Sequence, residues 1–262
     1  MTIAYLEKGQ GESLVLLHGI GSAARSFGAQ LEGLSSGWRV VAWDAPGYGQ
    51  STALPMAHPS AGDYADALAR FLDERGIGAL HLLGHSLGCL MAAAFAARRP
   101  GRVMSLTLCS IAGGHAGLPA AERQKLLDQR LHDVATLGPR GMAEKRAPRL
   151  LGPAAPPGAL AKVVDTMGSI HAEGYAQAAR MLSTGDIAAD LCRLPKRLPG
   201  QVIVGDGDVI TPLARNREIA ALWPHASVHV IQGAGHALYL EQPDAFNALV
   251  ADFLHKSTGV PT

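Results

Sequence analysis

Charge is sparse in this sequence. Asp, Glu, Lys and Arg make up 17% of 262 residues and nearly cancel, leaving a formal net charge of +1. That balance offers no basic footprint for nucleic acid, so no nucleic-acid partner is expected. Set beside 48% apolar residues, it argues for a compact globular chain and against disorder. Cysteine is nearly absent. Cys89, Cys109 and Cys192 are odd in number and lack metal-ligand spacing, so neither a disulfide framework nor a thiolate metal site is expected. Cys89 reads as a small core residue. No apolar run approaches membrane-spanning length. The first eight residues, Met1 to Lys8, contain no basic segment followed by an apolar one, so a signal peptide is not expected and the cytoplasm is the expected compartment. The last five residues, Thr258 to Thr262, read as a frayed tail.

What is there is a repeating alternation. Short apolar runs at Leu14–Leu17, Val40–Trp43, Leu80–Leu83, Leu106–Cys109, Val202–Val204 and Val228–Ile231 each end in a polar or glycine-rich turn. Nearly continuous apolar runs of this length predict parallel strands covered on both faces. Between them lie helical patterns. Ala65 to Arg75 places Leu68, Phe71 and Leu72 on one face, and Pro243 to Lys256 starts at a proline suited to a first turn. The alternation predicts an α/β fold, a doubly wound, mostly parallel sheet. It stops between Gly113 and Pro199, a helical, proline-punctuated stretch without a strong strand. The expected organisation is a core of residues 1–113 and 200–262 with a helical lid at 114–199. That insertion leaves the C-terminal end of a strand, over the crevice where such sheets bind ligands.

The most informative segment is Gly84-His85-Ser86-Leu87-Gly88, set between an apolar run and the small-residue run Leu90 to Ala97. Strand, sharp turn and helix follow in order, with a serine at the apex. A strained apex residue projects its side chain clear of the sheet, and side chains two positions away on either side would collide in so tight a turn. The apex also lies at a helix N-terminus, which favours developing negative charge. Ser86 therefore reads as a nucleophile. A serine hydroxyl needs a base and the base an orienting partner. Both occur downstream at strand ends: Asp206 and Asp208 after Val202–Val204, and His236 in Gly233-Ala234-Gly235-His236. Either aspartate fits that position on spacing alone.

The ordered landmarks His18-Gly19, Asp44-Ala45-Pro46-Gly47-Tyr48-Gly49-Gln50-Ser51, the serine turn, Gly205-x-x-Asp208-x-x-x-Pro212 and Gly235-His236-x-x-x-x-Glu241-x-Pro243 resemble the α/β-hydrolase superfamily over nearly the whole chain. The resemblance implies a Ser86, Asp208, His236 triad in that chain order. Asp208 is the acid of the G-x-x-D-x-x-x-P pattern, which leaves Asp206 as a turn residue bonding its own backbone. It implies an oxyanion hole from the backbone N–H groups of Leu87 and Ile20, each donor worth about 3 kcal/mol of barrier. His18 is then the strand-end histidine supporting the oxyanion loop, His85 points away from the nucleophile, and the Asp44 segment borders the site. Relatives that open epoxides or displace halides carry aspartate where this chain has Ser86.

No cofactor and no metal are expected: Gly19-x-Gly21 lacks the G-x-G-x-x-G run opening a helix that a dinucleotide site needs. The chain is most similar to 3-oxoadipate enol-lactonases and related carboxylesterases, which implies a small-molecule ester or lactone substrate. Two other readings stay open. Carbon–carbon bond hydrolases of ring-fission products share the triad and lid, although they usually carry tryptophan where this chain has Ala237. A ligand receptor could also retain the triad. The lid is rich in Lys and Arg, and one of these cations is a candidate partner for a substrate carboxylate. A homo-oligomer is left open.

Overall fold

The structure is a computed structural model that describes residues 1–257; the expected frayed tail lies outside the described residues. Seven strands form one sheet: β1 (Tyr5–Lys8), β2 (Ser13–Leu17), β3 (Arg39–Trp43), β4 (Leu80–His85), β5 (Val103–Cys109), β6 (Gly200–Gly205) and β7 (Ala226–Ile231). Their order is β1-β3-β2-β4-β5-β6-β7. All neighbours are parallel except β1, which pairs antiparallel with β3.

The ten α-helices of the described residues are α1 (Gly28–Leu34), α2 (Ala61–Glu74), α3 (Leu87–Arg98), α4 (Ala120–Arg146), α5 (Ala159–Gly168), α6 (Ala172–Thr184), α7 (Ile187–Leu191), α8 (Leu213–Ala220), α9 (Leu238–Glu241) and α10 (Pro243–Ser257). None is long and apolar enough to cross a membrane.

The strand residues divide by parity, as a pleated sheet requires. Leu14, Leu16, Val40 and Ala42 join the cluster formed with Leu31 and Leu34 of α1 and Phe246, Val250 and Leu254 of α10. Val15, Leu17, Val41 and Trp43 join the opposite cluster, with Leu68 and Leu72 of α2 and the body of α3. Every residue of β4 is buried, as continuous apolar runs in a two-sided sheet demand. α3 is buried from Leu87 to Ala96; its alanines let an all-round apolar helix press onto the sheet. α2 begins with a capping box between Ser60 and Asp63, which moves its start ahead of the apolar stripe seen in the sequence.

The two edges depart from the expected pattern. β1 is mostly exposed, and β7 is only half-buried. Both lie at sheet edges, where one side has no strand to cover it and charged or polar residues are tolerated.

Strand order reverses beside β2, because β3 lies on one side of it and β4 on the other. The loops after β2 and β4 flank this switch point, the place where open α/β sheets bind ligands. α4, α5, α6 and α7 all lie between β5 and β6 in the chain. α4 packs on α5 and α6, while α6 and α7 rest on α3. α4 is broken at Gly138, where φ is 65°, just before Pro139. The insertion is tied to the core by Gln177, whose side-chain amide donates to the carbonyls of Leu54 and Met56, each at 2.8 Å.

Candidate active site

Ser86 sits between β4 and α3 with φ 52° and ψ −115°. For a non-glycine residue this is a sparsely populated region costing about 1–3 kcal/mol, and its surroundings hold it there. Its N–H donates to the Cys109 carbonyl at 2.9 Å, and its carbonyl accepts from the N–H groups of Cys89 and Ala112 at 3.0 and 3.3 Å. The flanking glycines are sterically required. A Cβ on Gly84 would lie 2.5 Å from the Gly88 carbonyl oxygen, and one on Gly88 would lie 2.2 Å from that of Leu17. Cys89 is buried beneath the turn and its thiol donates to the Gly84 carbonyl. Burial pushes that thiol up, away from the thiolate a nucleophile needs.

The structure brings Ser86, His236 and Asp208 together from three loops. His236 Nε2 lies 3.0 Å from Ser86 Oγ, and His236 Nδ1 lies 2.9 Å from Asp208 Oδ2. The consistent tautomer has Nδ1–H donating to the carboxylate and Nε2 accepting from the hydroxyl. Asp208 is fixed by its own turn: Oδ1 accepts from the N–H groups of Ile210 and Thr211 at 2.8 and 2.9 Å, and Oδ2 accepts from the Thr211 hydroxyl at 2.8 Å. Burial works to raise the Asp208 carboxyl. The hydrogen bond and charge of His236, with the Thr211 donors, outweigh it and hold Asp208 well below the usual carboxylate range. Asp208 is therefore a stable anion aimed at the imidazole.

Asp206 does not reach the imidazole. Its carboxylate accepts from the Gly233 N–H at 2.6 Å. Its place just past a strand predicts a turn residue bonding its own backbone. Instead it bridges to the loop after β7, because adjacent parallel strands end side by side.

The other two histidines near the turn are neutral supports. His85 Nε2–H donates to the backbone carbonyl of His236 at 2.8 Å, which helps fix the loop that carries the imidazole. Burial, reinforced by the neighbouring His236, pushes His85 down to about 3. His18 Nδ1–H donates to the Gly19 carbonyl at 2.8 Å, while Nε2 accepts from the Ala45 N–H at 3.0 Å. Burial lowers its pKa too, so it stays uncharged. The loop after β2 is further held by the Tyr48 hydroxyl donating to the Ile20 carbonyl at 2.7 Å. Ile20 and Leu87 both line the cavity with Ser86. Leu87 opens α3, where first-turn N–H groups have no intrahelical acceptor. Asp44 accepts from the Ala24 N–H at 2.8 Å, a structural contact at the border of the site.

Two contributors escaped the sequence reading. Thr211 has a local signal, a threonine three residues after an aspartate, which is a side-chain capping pattern. Glu241 was visible only as a landmark. In the structure it is buried and accepts from the N–H groups of Gly235 and Gly152, at 3.0 and 2.7 Å for the nearer oxygens. Burial raises this carboxyl despite its two backbone donors. It joins the His236 loop to the insertion, together with the Ala237 N–H donating to the Leu150 carbonyl at 2.9 Å.

These residues open onto a cavity of about 430 Å³. Its core side includes Ser86, His236 and Tyr239; its insertion side includes Arg130, Val163, Met167 and Leu182. The described residues contain no group of three or more His, Cys, Asp or Glu placed to hold a metal ion.

Comparison with known proteins agrees with this architecture. The sequence matches the profile of the alpha/beta hydrolase family over residues 14–249. It is 27% identical over 256 residues to the (E)-2-((N-methylformamido)methylene)succinate hydrolase of Acinetobacter baylyi, covering 97% of this chain and 94% of that one. Among solved structures, a thermophilic esterase from Thermogutta terrifontis superposes with a TM-score of 0.89 at 28% identity, covering 97% of this chain and 93% of the esterase. The enol-lactonase from Burkholderia xenovorans LB400 superposes at 0.85 with 25% identity, covering 97% and 96%.

Proposed function

The chain belongs to the alpha/beta hydrolase family, and from that premise we propose that it is a serine hydrolase of small carboxylic esters or (enol-)lactones, acting through an acyl-enzyme. The carrying observation is the continuous Ser86–His236–Asp208 hydrogen-bond chain, 3.0 and 2.9 Å long, at the core side of the cavity. Ser86 Oγ attacks the substrate carbonyl as His236 Nε2 takes its proton. Asp208 holds the imidazole in the productive tautomer and stabilises the imidazolium. The oxyanion of the tetrahedral intermediate rests on the N–H groups of Leu87 and Ile20. The intermediate collapses, the carbonyl–oxygen bond to the alcohol or enol breaks, and His236 gives its proton to that oxygen. Water, deprotonated by His236, then attacks the acyl-enzyme and releases the acid and free Ser86. In this reading residues 114–199 act as the lid that excludes bulk water from the reaction.

The names of the enol-lactonase and esterase neighbours support the ester and lactone class. Turnover of a panel of short p-nitrophenyl esters, lactones and ring-fission dienones tests it. Esters or lactones are expected to be turned over, with Ser86→Ala lowering kcat by about a thousandfold or more while leaving the fold intact. Preference for a dienone with negligible ester cleavage would replace this reading with carbon–carbon bond hydrolysis. Activity retained by Ser86→Ala would remove Ser86 from the mechanism.

A further inference from the structure

The loop that carries His236 is held on three sides. Toward β6, the Gly207 N–H donates to the Ala234 carbonyl at 3.0 Å, and Asp206 accepts from the Gly233 N–H. Toward β4, His85 holds the His236 carbonyl. The third side is the insertion. A Cβ on Gly235 would lie 2.3 Å from the Gly152 nitrogen, and one on Gly152 would lie 2.5 Å from the Gly233 oxygen and the Gly235 nitrogen. Two backbones touch there, with no room for a side chain on either. One residue past the imidazole, the Ala237 N–H donates to the Leu150 carbonyl at 2.9 Å.

Glu241 closes this contact. It lies in α9, one turn past Ala237, whose carbonyl accepts its N–H at 3.0 Å. Its Oε1 accepts from Gly235 at 3.0 Å, and its Oε2 accepts from Gly152 at 2.7 Å and Gly235 at 3.1 Å. Each of these partners is an N–H donor, the surroundings of a carboxylate that only accepts. The serine mechanism gives this buried anion no task. Burial raises its carboxyl and the two backbone donors lower it; the Asp208 charge raises it and the His236 charge lowers it. That last coupling is mutual: a carboxylate favoured by an imidazolium favours the imidazolium in return. Around the same loop, Asp206 is bonded to the Gly233 N–H, burial keeps His85 neutral, and Tyr239 faces the hydroxyls of Ser22 and Ser26. Leu150, Leu151 and Gly152 of the insertion bring no titratable side chain.

We propose that Glu241 is a positioning residue: with Gly152 of the insertion it fixes the backbone that carries His236, and its charge joins that of Asp208 in stabilising the imidazolium as Ser86 attacks. The insertion then sets the turnover step as well as covering the cavity. This rests on the serine hydrolase reading above and adds a residue to its machinery. A misplacement of about 1 Å at a reacting group costs on the order of a hundredfold in rate, so a small slackening of this joint reaches kcat.

The test is steady-state hydrolysis of p-nitrophenyl butyrate across pH, with kcat counted per site titrated to completion by diethyl p-nitrophenyl phosphate, so that unfolded protein drops out. Glu241→Gln keeps the size, loses the charge and turns an N–H donor toward an N–H. Its kcat is expected to fall about tenfold to a hundredfold, with KM within about twofold of wild type. The acid limb of kcat/KM is expected to move to lower pH by roughly half a unit, since a neutral side chain favours the imidazolium less. Glu241→Asp keeps the charge but is too short to span Gly152 and Gly235 together. It should leave the limb in place and recover part of kcat. Glu144→Gln, which removes an exposed carboxylate of the insertion bonded to Arg140, should change neither. Wild-type kcat per titrated site in Glu241→Gln, or a lowered kcat with an unmoved limb, would overturn the inference while leaving the hydrolase reading intact. If Glu241→Gln does not fold, Glu241→Asp decides: kcat lowered several-fold at unchanged KM upholds the inference, and wild-type kcat overturns it. If the wild-type protein turns over no ester or lactone, the hydrolase reading fails and the inference falls with it.

Discussion

Asp206 and Asp208 stand two positions apart at the end of the same strand, yet they face different partners. Asp208 holds Nδ1 of His236 at 2.9 Å, whereas Asp206 holds the Gly233 N–H at 2.6 Å. The proposed mechanism therefore ranks them sharply. Asp208→Asn is expected to lower kcat by about 10⁴, because the amide favours the wrong imidazole tautomer. Asp206→Asn keeps an acceptor for Gly233 and is expected to cost less than about tenfold. Steady-state kinetics of the two variants with one short ester checks this, and the opposite ranking would move the acid to Asp206. Spacing alone does not separate these aspartates, since both follow β6 within one turn; the resemblance to the superfamily does. Nor does the sequence disclose that His85 clamps the His236 carbonyl, because that contact joins residues 151 positions apart. His18 and His85 have the composition of general bases. Burial keeps both neutral, and their ring nitrogens serve the backbone.

The serine turn works as an element because β4, the turn and α3 fit together without room for a side chain at Gly88. An added Cβ there would meet the Leu17 carbonyl oxygen at 2.2 Å, and backbone on a neighbouring strand cannot swing aside. Gly88→Ala is expected to cost about 1–3 kcal/mol or more and to displace Ser86. Gly101→Ala, where a Cβ meets nothing within 4 Å, is the control. Thermal unfolding of both checks it, and equal melting temperatures would contradict the packing argument. Elements of this kind were legible in advance, because a strand covered on both faces is nearly all apolar and a tight turn shows its glycines. β1 was not: Tyr5-Leu6-Glu7-Lys8 is short, exposed and antiparallel, and nothing in its pattern distinguishes an edge strand from a loop. The helices of the insertion were legible as helical. Their placement was not, since it depends on contacts such as Gln177 with the carbonyls of Leu54 and Met56, distant in sequence.

At the scale of the whole molecule, the insertion and the core meet around one cavity. Their joint runs through Glu241, whose carboxylate takes N–H groups from Gly152 on one side and Gly235 on the other. The loop bearing His236 is thus braced from both halves of the fold. The order of serine, acid and histidine was readable along the chain. The task of Glu241 was not, because it depends on the backbone N–H of Gly152, 89 positions away in sequence. On the proposed mechanism, convergence of Ser86, His236 and Asp208 makes one hydroxyl out of the whole chain nucleophilic. Treatment with diethyl p-nitrophenyl phosphate, followed by intact mass and peptide mapping, tests it most directly. One diethyl phosphate per chain is expected, on Ser86, formed with loss of p-nitrophenolate and of esterase activity together. Modification at another residue, or an unmodified Ser86 under conditions where activity is lost, would contradict it.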